Sequence, residues 1–217
     1  LCGMCLGGGC EVAMHSHHRV AANETYIGLV ELGVGLIPAA GGCKEWIIKS
    51  NEWTAACSDV HPFPMINQAF ETVGMAKAST SAPDARKIGY LTSSDDISVN
   101  KDSLIYNAKQ AVLTRSTMGF TRKKVANAIT VLGTTGVSEF KVRLNVMRQG
   151  GYISKYDELL GNKVAYVLCG GNVPDLSMVN EQYILDLERE TFLSLLGQEK
   201  TQQRIMHTLK TGKPLRN

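Results

Sequence analysis

The stretch LGGGCEVAMH, residues 6–15, decides how the rest of the chain is read. Three consecutive glycines, Gly7, Gly8 and Gly9, give up their side chains where a helix-forming run begins, and an acid, Glu11, follows almost at once. Glycine loses more conformational freedom on ordering than any other residue, so it is placed where the chain turns sharply or another molecule approaches the backbone. A carboxylate in the first turn of a helix is favoured by the positive end of the helix dipole. Together these residues predict a turn whose N–H groups face a ligand, with a carboxylate beside it.

Upstream, residues 1–6 read as the end of a buried strand leading into that turn. Downstream, the helix runs from Cys10 to about His17, HRVAAN reads as a short strand, and TYIGLVE, residues 25–31, as a β-type stretch. The loop LGVGLIPAAGG and the helix CKEWIIKS follow. Strand, helix and strand in succession predict an α/β unit. After residue 51 the pattern is helical: HPFPMINQAFETVGMAKAS has a proline-containing entry, and SAPDARKIGYL has a proline near its start and a glycine stop. Residues 101–115 read as helix and 118–151 as less regular, with the β-prone run AITVLGTTG. Apolar residues at helical spacing fill the last third. This divides the chain into an α/β core at 1–97 and a largely helical extension at 98–217.

Composition narrows the function classes. The 217 residues are 44% hydrophobic and 20% charged, so the chain can bury a core. A net charge of +3, with bases interspersed among acids, gives no footprint for nucleic acid. No apolar run is long enough to span a bilayer. The six cysteines sit mostly in apolar or glycine-rich surroundings, as reduced thiols do. Cys2-x-x-Cys5 is completed by no second pair into a zinc site. Without a secretory signal, the cytoplasm is the expected compartment. Because the sequence opens inside an apolar, glycine-rich segment without methionine, it reads as a fragment of a longer polypeptide.

Glu31 lies 20 residues beyond Glu11, at the end of TYIGLVE. If helix and returning strand form a compact turn, both carboxylates converge on one pocket. Two acids in a dry site titrate as a coupled pair, which suits proton transfer in both directions or the holding of a water. Spacing alone favours two unrelated surface acids. The glycines shift the balance, because the Gly8 N–H at a helix start can donate to a developing oxyanion. A triple glycine is weak evidence by itself, and it does not match the dinucleotide fingerprint G-x-G-x-x-G.

The set LGGGCEVAMH…TYIGLVELGVGLIPAAGGCKE resembles the enoyl-CoA hydratase/isomerase (crotonase) superfamily, through the GGGCE turn, the glutamate 20 residues later and the GLIPxxGG loop. SAPDARKIGYL resembles the helix and turn that follow later in that family. The resemblance covers roughly the first 90 residues. The remainder, with YVLCGG, EQYILDLERE and LKTGKPLRN, is similar to the C-terminal end of bacterial multifunctional 3-hydroxyacyl-CoA dehydrogenases, in which a dehydrogenase portion precedes a hydratase portion.

This resemblance implies a partial ββα-spiral, crotonase-like core lacking its N-terminal strands, followed by a mainly helical extension. It implies syn addition of water to a 2-enoyl-CoA thioester in fatty acid β-oxidation. Gly8 would donate its N–H to the thioester oxygen, Glu11 would activate the water, and Glu31 would exchange the proton at the α-carbon. Gly7, Gly9 and Pro38 would contact substrate. The second oxyanion donor would come from strands upstream of Leu1. No cofactor or metal is expected in this segment, the CoA thioester being substrate and NAD belonging to the upstream dehydrogenase portion. The expected partners are acyl-CoA, that dehydrogenase domain and other copies of the chain. A double-bond isomerase of the same superfamily is the closest rival, and retention of both acids favours the hydratase. A non-catalytic fragment whose helical tail serves assembly is the alternative from another class. His17 stands where relatives of this family often carry aspartate.

Other residues have plainer readings. His15, His17 and His18 do not share a helix face or a known ligand spacing, which argues for packing or solvation. Cys10 has no evident base and reads as a packing thiol. Trp46 and Trp53 flank a loop and line either the acyl pocket or, more simply, the core. Lys44 could pair with a CoA phosphate, but an exposed lysine usually has no such specific role.

Overall fold

The computed structural model describes residues 1–57, 61–121 and 124–217. Along the chain the elements are β1 (Met4–Leu6), α1 (Gly8–Met14), β2 (Val20–Ala22), β3 (Tyr26–Gly28), a 3-10 turn at Glu31–Val34, α2 (Gly42–Ala56), α3 (Phe63–Gly74), α4 (Ala82–Ile88), β4 (Asp96–Ser98), a 3-10 turn at Lys101–Ser103, α5 (Leu104–Thr117), β5 (Ile129–Val131), α6 (Gly133–Gln149), α7 (Lys155–Leu168), β6 (Ser177–Val179), α8 (Glu181–Leu196) and α9 (Glu199–Thr211). They form two compact units, each assembled from two stretches of chain: Leu1–Leu29 with Ala78–Val125, and Val30–Lys77 with Ala126–Asn217. Compactness therefore divides the chain along other lines than the core and extension at 97/98.

In the first unit β1 pairs parallel with β3, Cys5 opposite Ile27, and β2 pairs parallel with β4, Ala21 opposite Ile97. The backbone of Ser79 donates to the Ile27 carbonyl at 2.8 Å, and its hydroxyl accepts the Ile27 N–H at 2.9 Å. The hydroxyl of the buried Tyr90 accepts the Leu29 N–H at 3.0 Å. β2 is wholly buried, and Val20, Ala22 and Leu104 form a core against which Ala108 and Ala111 of α5 pack. α4 starts as its sequence predicts: the Ser81 hydroxyl accepts the Asp84 N–H at 3.2 Å, and Gly89 ends the helix at φ +112°.

Asp95 ties the β2–β4 pair together. Its carboxylate accepts the Arg19 N–H at 2.9 Å and the Thr92 N–H at 2.7 Å, and pairs with the Arg19 guanidinium at 2.8 Å. Burial works against its charge, but these hydrogen bonds and the Arg19 cation outweigh it and hold the carboxyl below the usual range.

The second unit is helical apart from the antiparallel pair β5–β6. The close approach of α6 to α7 uses a glycine, since a Cβ at Gly161 would stand 2.7 Å from a Leu144 methyl. Phe140 of α6 is fully buried and packs against Phe63 and Phe70 of α3, ring centroids 5.4 and 4.4 Å apart. Asn51 of α2 reaches β5, donating to the Thr130 carbonyl at 3.0 Å and accepting its N–H at 2.8 Å. α7 opens with a capping box between Ser154 and Asp157.

Several expectations need correction. The strand entering the glycine turn is three residues long rather than buried over residues 1–6, and Met4 is 80% exposed. Residues 118–151 contain a 17-residue helix, α6, where an irregular region is expected. Its first turns carry Gly133, Thr134, Thr135 and Gly136, which lower intrinsic helix propensity; burial of Phe140 and Leu144 overrides that. Trp46 and Trp53 both lie on α2 rather than beside a loop, with Trp46 wholly buried. Among the described residues no helix is long and apolar enough to cross a membrane.

Candidate active site

The glycine turn forms as its sequence suggests, and its three glycines do different work. Gly7 has φ +57° and ψ −131°, a conformation that L side chains avoid. Its N–H donates to the Gly28 carbonyl at 2.9 Å, and its own carbonyl accepts the Glu11 N–H at 3.0 Å, so the turn is riveted to β3. Gly8 and Gly9 are exposed, and a Cβ added at either would meet nothing within 4 Å. Packing inside the chain therefore does not require glycine at 8 or 9. Both belong to the first turn of α1, where N–H groups have no acceptor within the helix.

The helix turns its other face inward. Cys10, Ala13 and Met14 are buried, and Glu11 is only 4% exposed. Glu11 is thus a buried carboxylate three residues beyond the exposed Gly8. His15 contacts the Glu11 carbonyl through Nδ1 at 2.7 Å. The other histidines point elsewhere: His18 reaches Asp96 at 2.9 Å and Arg115 at 2.5 Å, and the His17 ring packs edge-on against Phe120. Among the described residues no group of three or more His, Cys, Asp or Glu could hold a metal.

Glu31 and Pro38 lie on one loop of the second unit. Glu31 opens a 3-10 turn rather than ending a strand, and both its carboxylate oxygens are buried. Two residues of the C-terminal helices, Thr201 and Glu188, hold this loop. The Thr201 hydroxyl, in contact with the Tyr156 hydroxyl at 2.5 Å, donates to the Gly35 carbonyl at 2.7 Å. Gly35 is a necessary glycine twice over: φ is +80°, and a Cβ would lie 2.9 Å from the Thr201 hydroxyl. Further on, fully buried Glu188 accepts the Gly41 N–H at 2.7 Å and the Lys44 N–H at 2.6 Å, so a carboxylate from α8 caps the start of α2. Pro38 is buried between these two anchorages.

Lys44 corrects its own reading. Only 4% exposed, it is ion-paired with Glu45 and, at 3.3 Å, with Glu181, and so is not presented to an external phosphate. Glu188 and Thr201 escape a motif-based reading. A signal for Glu188 is nevertheless present, because this acid falls on the apolar stripe of α8 with Ile184, Thr191 and Leu195. Two of the thiols are pushed away from the reactive thiolate: burial raises the Cys5 thiol, and burial together with Glu139 pushes Cys169 up to about 12.

No family model matches the sequence. Over 215 residues the chain is 44% identical to the "Probable 3-hydroxyacyl-CoA dehydrogenase" of Bacillus subtilis (strain 168), a match that takes in 99% of this chain and 26% of that protein. The chain thus spans about a quarter of the length of that curated relative. Among solved structures it is similar to a carnitinyl-CoA hydratase from Mycobacterium avium, with a TM-score of 0.53, 19% identity, and coverage of 98% of this chain and 59% of that one. Similar figures hold for EchA1_1 from Mycobacterium paratuberculosis, with a TM-score of 0.52, 19% identity and the same shares covered. The short paired strands followed by a mainly helical C-terminal region are a partial crotonase-like core and its extension. The chain has the crotonase, or enoyl-CoA hydratase, superfamily fold and is homologous to part of a larger 3-hydroxyacyl-CoA dehydrogenase-like protein.

Proposed function

We propose that the chain carries the hydratase site of a multifunctional fatty acid β-oxidation enzyme and adds water across the 2,3-double bond of a 2-enoyl-CoA. The observation that carries this reading is the α1 turn, where an open pair of glycines, with nothing packed above them, precedes a buried carboxylate at Glu11. A thioester oxygen placed over Gly8 receives its N–H, and negative charge developing there is stabilised by a preorganised donor. Glu11 takes a proton from water as the oxygen bonds to C3. The electron pair of the double bond moves onto the thioester oxygen, and it returns through the re-formed carbonyl to C2 as Glu31 delivers its proton there. Both additions occur on one face, and solvent then takes the proton from Glu11 and returns one to Glu31. Pro38, Gly7 and Gly9 border the acyl thioester, and the second oxyanion donor comes from outside residues 1–217.

The test is steady-state hydration of a short 2-enoyl-CoA by the protein in its full-length form. Glu11→Gln and Glu31→Gln are each expected to lower kcat by about 10²–10⁴-fold, with far-UV circular dichroism unchanged. Unchanged rates in both variants overturn the assignment. Conversion of a 3-enoyl-CoA to the 2-enoyl isomer that survives loss of one acid, without hydration, would make the protein an isomerase instead.

A further inference from the structure

Helices α6, α7 and α9 of the second unit border a groove of about 900 Å³. This is within the size range of small-molecule sites, roughly 300–1,000 Å³. Four lysines stand around it, Lys141 from α6, Lys155 and Lys163 from α7, and Lys200 from α9. Among the described residues none of the four has a carboxylate partner. The nearby acids are engaged by other cations: Glu158 with Arg148 at 2.6 Å, Asp157 with Arg204 at 2.9 Å, and Glu139 with Arg143 at 2.9 Å. Four uncompensated ammonium groups around one concavity make a locally positive field. Between them the lining is mostly apolar, Val137, Leu159 and the half-buried Tyr166, with Asn162 and the Arg148-paired Glu158 as its other polar groups, while Tyr156 is only 5% exposed. Lys200 lies 5.7 Å from the centre of the Tyr156 ring.

We propose that this groove binds a nucleoside polyphosphate, with the base against the Tyr166 ring and the phosphates on the lysines. Charge complementarity requires a polyanion, since a single negative charge leaves most of the four lysines uncompensated. The apolar walls require a flat apolar body on that polyanion, which inorganic phosphate lacks. Flexible lysines bind phosphate as point charges and adapt to a chain of them. The inference does not rest on the hydratase reading, because no residue that it uses carries out the hydration.

Isothermal titration of the full-length protein with ADP tests it, with pyrophosphate and adenosine as separate probes of charge and base. ADP is expected to bind at least about tenfold more tightly than either part alone. It should weaken by a similar factor when ionic strength rises to about 0.5 M. Lys163→Glu with Lys200→Glu is expected to weaken ADP binding at least about tenfold. Lys210→Glu, an exposed reversal on α9 outside the groove, should leave it within about twofold. ADP is expected to bind undiminished in the presence of coenzyme A, and competition by coenzyme A would make the groove part of the thioester site and overturn a separate nucleotide site. No ADP binding, ADP binding indifferent to the paired reversal, or lysine-dependent binding only to phosphatidylglycerol vesicles overturns the proposal.

Discussion

A glycine serves its own chain or whatever approaches it from outside, and substitution separates the two cases. Gly35 belongs to the first kind: its φ of +80° and the Thr201 hydroxyl 2.9 Å from a would-be Cβ leave no room for a side chain. Gly35→Ala is expected to cost about 2 kcal/mol or more, read as a lowered urea midpoint. Gly8 has nothing within 4 Å of a would-be Cβ, and on the hydratase reading it belongs to the second kind. Gly8→Ala should leave stability unchanged or raise it by up to about 1 kcal/mol, because alanine is the better helix former. Yet on the hydratase reading the new methyl displaces the thioester, and kcat/KM should fall by about tenfold or more. Stability and activity would then separate at one residue. A Gly8→Ala enzyme with full activity would remove the ligand from above this turn.

At the scale of elements, the start of α7 carries a pH dependence whose sign can be worked out. Burial of Asp157 opposes ionisation, but hydrogen bonds from Arg204 and the Ser154 N–H, with the Arg204 cation, outweigh it and hold the carboxyl below its ordinary value. A depressed carboxyl stabilises the fold fully above the unfolded value of about 3.9, and this contribution is lost as pH falls through the folded value. Asp157→Asn is therefore expected to cost about 1–3 kcal/mol at pH 7 and much less near pH 2, compared in urea melts at the two pH values. A cost independent of pH would remove the Arg204 pair as its source. Elements with strong local signals, such as α4 with Ser81 and Gly89, are legible in the sequence because the residues that start and stop them lie within them. α6 is not, since Gly133 and Gly136 argue against helix and the justification for both lies in distant packing. The same distinction runs through the site. Gly7 and Glu11 are legible from one turn of sequence, whereas the anchoring of the Glu31 loop depends on Glu188 and Thr201, and Glu188 lies 147 residues from its partner Gly41.

On the scale of the whole molecule, the chain passes from one compact unit to the other, back, and over again, so neither unit is a continuous segment. Residues 1–97 include α2 and α3 without Phe140 of α6, on which Phe63 and Phe70 pack. They also include β2 without Leu104, which completes its core. A polypeptide of residues 1–97 alone is expected to lose the near-ultraviolet circular dichroism of packed aromatic rings and to expose Trp46, seen as a red shift in its fluorescence. Native-like spectra from that fragment would show that the first 97 residues need nothing from the rest.

The two anchors of the Glu31 loop also place it in time. A ribosome delivers the N-terminus first, so Gly35 emerges long before Thr201, the partner 166 residues away whose hydroxyl donates to its carbonyl. Gly41 likewise waits for Glu188. A nascent chain stopped before residue 188 already contains both Glu11 and Glu31, yet the loop of the second acid lacks its Thr201 and Glu188 anchors. Premature termination should therefore yield no partly working product: the loop is among the first parts of its unit to be synthesised and among the last to be secured.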